Sequence, residues 1–357
     1  MRGSGEEKMR ALIWFVGIVV ALMVVSMLHT TGWMTSTVAL AFFVALAIWP
    51  VDNGLRRRLP GNLRWLGHLA ALVVMLLLLG VFFGGVVFAA RQITAGLPAY
   101  EEPARAMLDQ LGRWIDLPAV ADGNGGFSGR LMDPVFSFVS GAVVSTSNLI
   151  GILSLLVFLA LLMLIEGPAL SRKLRAVAGN HDGDAYGATV TAIAVRVRGY
   201  LAVRTLMGVV TGCLYALWSW LWNVDFALTW GLLAFLLNYI PNVGSFIGGI
   251  LPAGFAFLQH DPMWALAFGG GLIVIEQIMG NYVDPRLQGN QLALSPLVVL
   301  VALLFWGWVW GLAGALIAVP MTLVIMIVCV RIGPLQPLAL FLSNCRDIEE
   351  LKRATSA

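Results

Sequence analysis

Apolar runs separated by short polar breaks follow one another along most of this chain. Those at 11–28, 66–90, 143–165, 201–222 and 263–279, with a shorter core at 35–49, approach the roughly 20 residues that a helix needs to cross about 30 Å of hydrocarbon. Two further stretches, 226–258 and 292–330, are apolar but broken. One opens with Phe226-Ala227-Leu228-Thr229 and the other with Leu292-Ala293-Leu294-Ser295; each has glycines at its midpoint and a late proline, Pro252 or Pro320. From Thr229 to Tyr239 there is only about half a span, and the same holds from Val243 to Phe255. Pro241 between them removes a backbone donor and disfavours helix at Ile240. Paired Gly/Pro-interrupted segments mark the binding region of many transporters. The pattern predicts an all-α polytopic membrane protein: about six full spans plus two Gly/Pro-broken re-entrant hairpins that form an inverted repeat. If the hairpins cross, the spans number eight.

Along the chain this gives N-terminal spans at 1–90 and a polar helical region outside the membrane at 91–136. A fourth span and a basic segment follow at 137–200. A transport core at 201–330 contains the repeat units 226–258 and 292–330, and the tail is 331–357. In the polar region Ala104, Met107, Leu108, Leu111, Trp114 and Ile115 recur at helical spacing, which predicts one amphipathic helix from Pro103. Its acids, among them Asp109, Asp116 and Asp133, read as a solvated face.

Composition agrees with the pattern. The chain is 59% hydrophobic and 11% charged, where a soluble domain carries about 25% charged residues. A net charge of +3, scattered along the sequence, gives no footprint for nucleic acid. Basic clusters follow the second run (Arg56, Arg57, Arg58, Arg64) and the fourth (Arg172, Lys173, Arg175), whereas the breaks after the first and fifth runs hold no Lys or Arg. The positive-inside rule then places both termini in the cytoplasm and 92–133 outside. The two broken units enter from opposite faces. Trp306, Trp308 and Trp310 fall near the second tip, an awkward depth for a residue that prefers the interface. Either they line a cavity packed by protein, or 292–330 is two full spans.

Few residues carry chemistry. Glu276 lies in an apolar run, where a charge costs about 2.5–3.5 kcal/mol at mid-membrane, so an acid kept there is a functional candidate. Gln277, Asn281 and the neighbouring opposite charges Asp284 and Arg286 extend that candidate path; Asp284 and Arg286 also read as a structural latch. At the first tip Asn238, Asn242 and Ser245 supply hydrogen bonds. Gly244 and Gly248 permit close approach, and the Pro241 break frees backbone groups. Pro241, Pro252, Gly311, Gly314 and Pro320 are the expected hairpin breaks. Gly80 and Gly84 stand at GxxxG spacing, as do Gly208 and Gly212, which favours helix packing and a homo-oligomer. Cys213, Cys329 and Cys345 lack metal-ligand spacing, and His181-Asp182-Gly183-Asp184 is an exposed turn. No metal or cofactor is expected.

The string NYIPNVGSFIGGILPAG resembles the autoinducer-2 exporter (AI-2E) family of bacterial membrane proteins, as does EQIMGNYVDPRLQGNQLALSPLVVLVALLFWGWVWGLAGALIAVPM. The most specific part is the acid helix ending at Pro285-Arg286-Leu287-Gln288-Gly289, followed by Leu294-Ser295-Pro296; RGYLAVRTLMGVVTG at 198–212 also fits. The resemblance implies a multi-helix, oligomeric exporter of the inner membrane. Some members are linked to quorum-signal export and others to sodium/proton exchange.

The leading functional reading is a secondary transporter that exports a small polar solute, such as a quorum-sensing signal, coupled to a proton or cation gradient. A Na+/H+ antiporter is the alternative within that class. A non-transporting scaffold that works through 92–133 is the alternative outside it. The chain has no GxxxxGK[ST] loop for nucleotide, no HExxH and no GxSxG, and no enzyme activity is expected.

Overall fold

The computed structural model describes residues 3–60, 63–100, 102–103, 146–241, 243–288 and 294–355. Asn242, the amphipathic stripe beyond Pro103 and Asp109, Asp116 and Asp133 lie outside them. Regular structure among the described residues is helical: α1 (Gly3–Thr30), α2 (Gly32–Arg58), α3 (Trp65–Gly96), α4 (Thr146–Leu221), α5 (Ala227–Leu237), α6 (Val243–Gln259), α7 (Pro262–Ile278), α8 (Asp284–Gln288), α9 (Pro296–Arg331), α10 (Gln336–Leu342) and α11 (Ile348–Thr355). Six stretches are long and apolar enough to cross a membrane: one each in α2 and α3, two in α4, one from α7 into α8, and α9. In α1 the apolar helix described, Phe15–Thr30, is shorter. Outward-facing Leu76, Leu77, Val81, Leu266, Ile273, Leu297 and Leu304 are all exposed. Such a surface suits lipid, not water.

α2 and α3 are antiparallel. Gly67 lies under Asp52 and Arg56 at one end, and Ala41, Ala45 and Ile48 share a buried cluster with Ala71, Met75 and Leu79. Buried Asp52 pairs there with His68 at 3.0 Å and with Arg56 at 3.5 Å. The 76 residues of α4 would reach about 114 Å as one rod. They do not form one. Gly167 lies against Trp49, and Leu156, Ala160 and Leu164 join the α2–α3 cluster, so this part runs alongside α2 in the same direction. Later, Gly208 and Gly212 lie against Phe235 and Gly231 of α5, while Phe82 and Gly85 of α3 meet Phe235 and Leu232. The second part of α4 therefore runs with α3, and the chain reverses between Gly167 and Arg204.

α5 and α6 form the first hairpin. Leu237 meets Gly244, Ala234 meets Gly248 and the Trp230 and Phe255 rings meet at a tilt with centroids 5.4 Å apart, which is antiparallel pairing beyond the turn that starts at Asn238. Its feet lie at the far end of α3: Thr229 donates to Gln92, and the Phe226 ring covers Gly96. Tyr100 donates to Asp225 and accepts from Gln259 Nε2 at 2.8 Å, closing this end. Burial, and next the Asp225 carboxylate, push the Tyr100 phenol above its ordinary pKa, so it remains a donor. The tip, through Tyr239, packs on Phe82, about half-way along α3.

α9 is the second hairpin. Gly311 has φ 61°, a left-handed conformation open to glycine, and the chain reverses there. Trp306 Nε1 consequently reaches Thr322 Oγ1 at 3.3 Å, although sixteen residues of straight helix would hold them about 24 Å apart. Its tip goes further than the first. Trp310 Nε1 bonds to Leu28 O at 3.2 Å and to Thr35 Oγ1 at 2.9 Å, and Trp308 stacks on His29, all at the α1–α2 turn. The tryptophans thus sit at the end of the bundle, where a Trp belongs. The returning leg runs alongside α2, so its foot, Arg331, lies at the end where α2 finishes in Arg56, Arg57 and Arg58. The feet of the two hairpins are at opposite ends. The tip of the first meets the flank of the second where Ile240 packs among Ala302, Leu303, Trp306 and Val309.

Two expected breaks are not breaks. Pro252 lies inside α6 and Pro320 inside the returning leg, both buried. Neighbouring protein groups can take over the backbone partner that an internal proline loses. Among the described residues a Cβ on Gly80 or Gly84 would meet nothing within 4 Å, whereas Gly208 and Gly212 are packed tightly against α5.

Candidate functional site

Two polar pairs join α4 to the acid helix. Tyr215 Oη, in a fully buried side chain, donates to Glu276 Oε1 at 2.8 Å. Three turns earlier on α4, Arg204 Nη1 lies 3.5 Å from Asp284 Oδ2. In a regular helix, eight residues would leave Glu276 and Asp284 about 80° apart around the axis. A π-helical turn at Met279–Val283 lies between them and takes up much of that offset, so both acids address α4.

The same arginine holds the hairpin tip. Asn238 Nδ2 donates to Arg204 O at 3.0 Å, and the adjoining hydroxyls of Thr205 and Tyr239 are 2.7 Å apart. Arg204 is only 8% exposed, and its guanidinium lies over the Tyr200 ring, 5.6 Å from the centroid. Among the described residues its Nε has no hydrogen-bond partner, which leaves directed donor capacity at the centre of the cluster. The tip and the acid helix, two separate candidates in the sequence, are one site joined at Arg204.

The remaining candidates divide. Ser245 is half-buried at the start of α6, and Gly244 and Gly248 are buried under α5. Gln277 and Asn281 are exposed and bond to each other, away from α4. Arg286 is exposed, and Asp284 pairs with Arg204 instead. This corrects the expected Asp284–Arg286 latch: residues two apart on a helix do not share a face. Free amides at the tip are also corrected: those of Asn238, Tyr239, Ile240, Val243 and Gly244 all donate within the turn. Gly314 packs under the Trp306 carbonyl beside the Gly311 reversal. No group of three or more His, Cys, Asp or Glu that could hold a metal occurs among the described residues.

Sequence reasoning missed Arg204, Tyr215, Thr205 and Tyr239. Arg204 carried a signal, as a lone charge four residues into an apolar run. The tyrosines and the threonine carried none.

The two tip glycines separate packing from permissiveness. A Cβ on Gly244 would strike the Leu237 carbonyl, whereas one on Gly248 would meet only Leu237 Cδ1 at 3.8 Å and Ala234 Cα at 3.9 Å. Gly244→Ala is expected to cost about 1–3 kcal/mol, and Gly248→Ala less than about 1 kcal/mol. Detergent melting curves of both variants check the difference.

A family model described as AI-2E family transporter matches residues 12–332. AI-2 transport protein TqsA of Escherichia coli strain K12 is 31% identical over 317 residues, which cover 85% of this chain and 88% of that protein. A relative from Haemophilus influenzae is 30% identical over 302 residues, 81% and 84% of the two chains, and YhhT of Escherichia coli strain K12 is 28% identical over 296 residues, 83% and 84%. With apolar helices able to cross a membrane, two opposed hairpins and a family match over most of its length, this chain belongs to the AI-2E family of membrane transporters.

Proposed function

We propose that the protein is a secondary transporter of the bacterial inner membrane that exports a small polar solute, with both termini in the cytoplasm. The observation that carries this reading is Arg204: one buried cation ties the first hairpin's tip, through Asn238, to the acid helix, through Asp284. A solute bound at the guanidinium competes with the Asp284 carboxylate. Its arrival is thereby linked to movement of the hairpin against α7 and α8. Glu276, bonded to Tyr215 on the same seam, is the carboxylate that exchanges a proton as the seam opens. The AI-2 named for the Escherichia coli relative makes that signal the first solute to try.

The two acids on one seam also favour a second reading, exchange of Na+ for H+ without an organic solute. One experiment separates the readings. Purified protein in sealed vesicles is given a pH gradient, and uptake of AI-2 and of Na+ is followed. AI-2 flux that depends on the gradient supports export; Na+ movement alone supports antiport. Neither flux above that of empty vesicles overturns both.

A further inference from the structure

Away from the seam, the tail builds a second site. α11 is docked on the foot of the second hairpin: Leu351 is fully buried in a cluster with Leu323, Met326, Ile327 and Val330. Before it, Leu294 and Ser343 form a β-bridge, and Ser295 N donates to Leu342 O at 3.2 Å, which fastens the tail to the hairpin's entry. Between the hairpin foot, α10 and α11 lies a cavity of about 480 Å³ lined by Val330, Arg331, Gln336, Glu349, Lys352, Arg353 and Thr355. Among the described residues, three cations face it against one acid. Asp347 and Glu350 are occupied in a reciprocal cap at the other end of α11, bonding Glu350 N at 2.7 Å and Arg346 N at 2.8 Å. α10, which borders the cavity through Gln336, carries Leu338 and Phe341 on another face, 50% and 85% exposed and three residues apart. Arg331 stands at the end of the bundle where Arg56, Arg57 and Arg58 close α2.

We infer that this cavity binds the phosphate headgroup of an anionic phospholipid, with Leu338 and Phe341 set among its acyl chains. The cations supply the charge and the hydrogen-bond donors that a phosphate needs. The exposed apolar pair on the same seven-residue helix favours a lipid over a free ion, because a soluble phosphate has no use for it. The bound headgroup would brace the tail against the second hairpin and so raise the stability of the folded protein.

The test is thermal unfolding of the full chain in detergent, titrated separately with short-chain phosphatidylglycerol, short-chain phosphatidylcholine and inorganic phosphate. Phosphatidylglycerol is expected to raise the midpoint, and the other two are not. Lys352→Gln with Arg353→Gln should require at least about tenfold more phosphatidylglycerol for the same rise, and Glu349→Gln should require less. Leu338→Ser with Phe341→Ser should weaken the response as well. An equal rise with phosphatidylcholine, or an undiminished response in the double cation variant, overturns the site. An equal rise with inorganic phosphate overturns the lipid assignment. Both cations are exposed, so their replacement leaves folding intact.

Discussion

Glu276→Gln is expected to insert and melt like the parent protein, while gradient-driven solute flux falls to the level of empty vesicles. Glutamine keeps the size of the side chain and an acceptor oxygen for the Tyr215 hydroxyl, so the 2.8 Å contact survives. What it removes is the ability to gain and lose a proton within an apolar bundle, where a retained carboxylate is otherwise an expense of about 2.5–3.5 kcal/mol. Flux and melting temperature should be measured on one preparation. Parental flux with an unchanged dependence on pH would reduce Glu276 to a structural acid. Tyr215→Phe is the companion variant; it keeps the acid and alters only its partner, so reduced flux that still responds to the gradient is expected.

Arg204→Met is expected to lower stability by about 3 kcal/mol and to abolish flux. Removal of one member of a buried ion pair takes from the other its counter-charge on α4, and Asp284 retains only 20% side-chain exposure to water. The Asn238 contact to the Arg204 carbonyl is a backbone contact and should persist. Adding Asp284→Leu should therefore recover most of the lost stability, because the largely buried charge is gone, yet recover no flux. Denaturant midpoints of the single and double variants, compared with flux, read out the two effects separately. A single variant as stable as the parent would show that the pair contributes little, and restored flux in the double variant would remove Arg204 from the transport path.

Much of the architecture was legible in local pattern. Pro241 with its flanking glycines marked the first reversal, and the apolar run around Gly311 marked the second, because both depend on residues next to each other in the chain. The depth of the second hairpin was not. Its tryptophans posed a conflict that was resolved only by Trp310 reaching Leu28 and Thr35, across most of the sequence. The site shows the same limit. Asp284 was read with its neighbour Arg286, whereas its partner Arg204 stands eighty positions earlier on another helix. A π turn that re-aims an acid by a fraction of a turn has no compositional mark, so the common orientation of Glu276 and Asp284 could emerge only with the backbone in place.

Where α4 and α5 cross at Gly212 and Gly231, each glycine's missing Cβ would lie 2.6–2.7 Å from the carbonyl oxygen of the other. Backbone rests on backbone there. Such a joint has no rotamers to adjust, so it either holds as a whole or parts as a whole. In mechanical terms it is a weld, and it makes the later half of α4 and the first leg of the hairpin a single strut. The slack must then be on the strut's other side, along the tyrosine and arginine contacts to the acid helix, where side chains can exchange partners without tearing the frame.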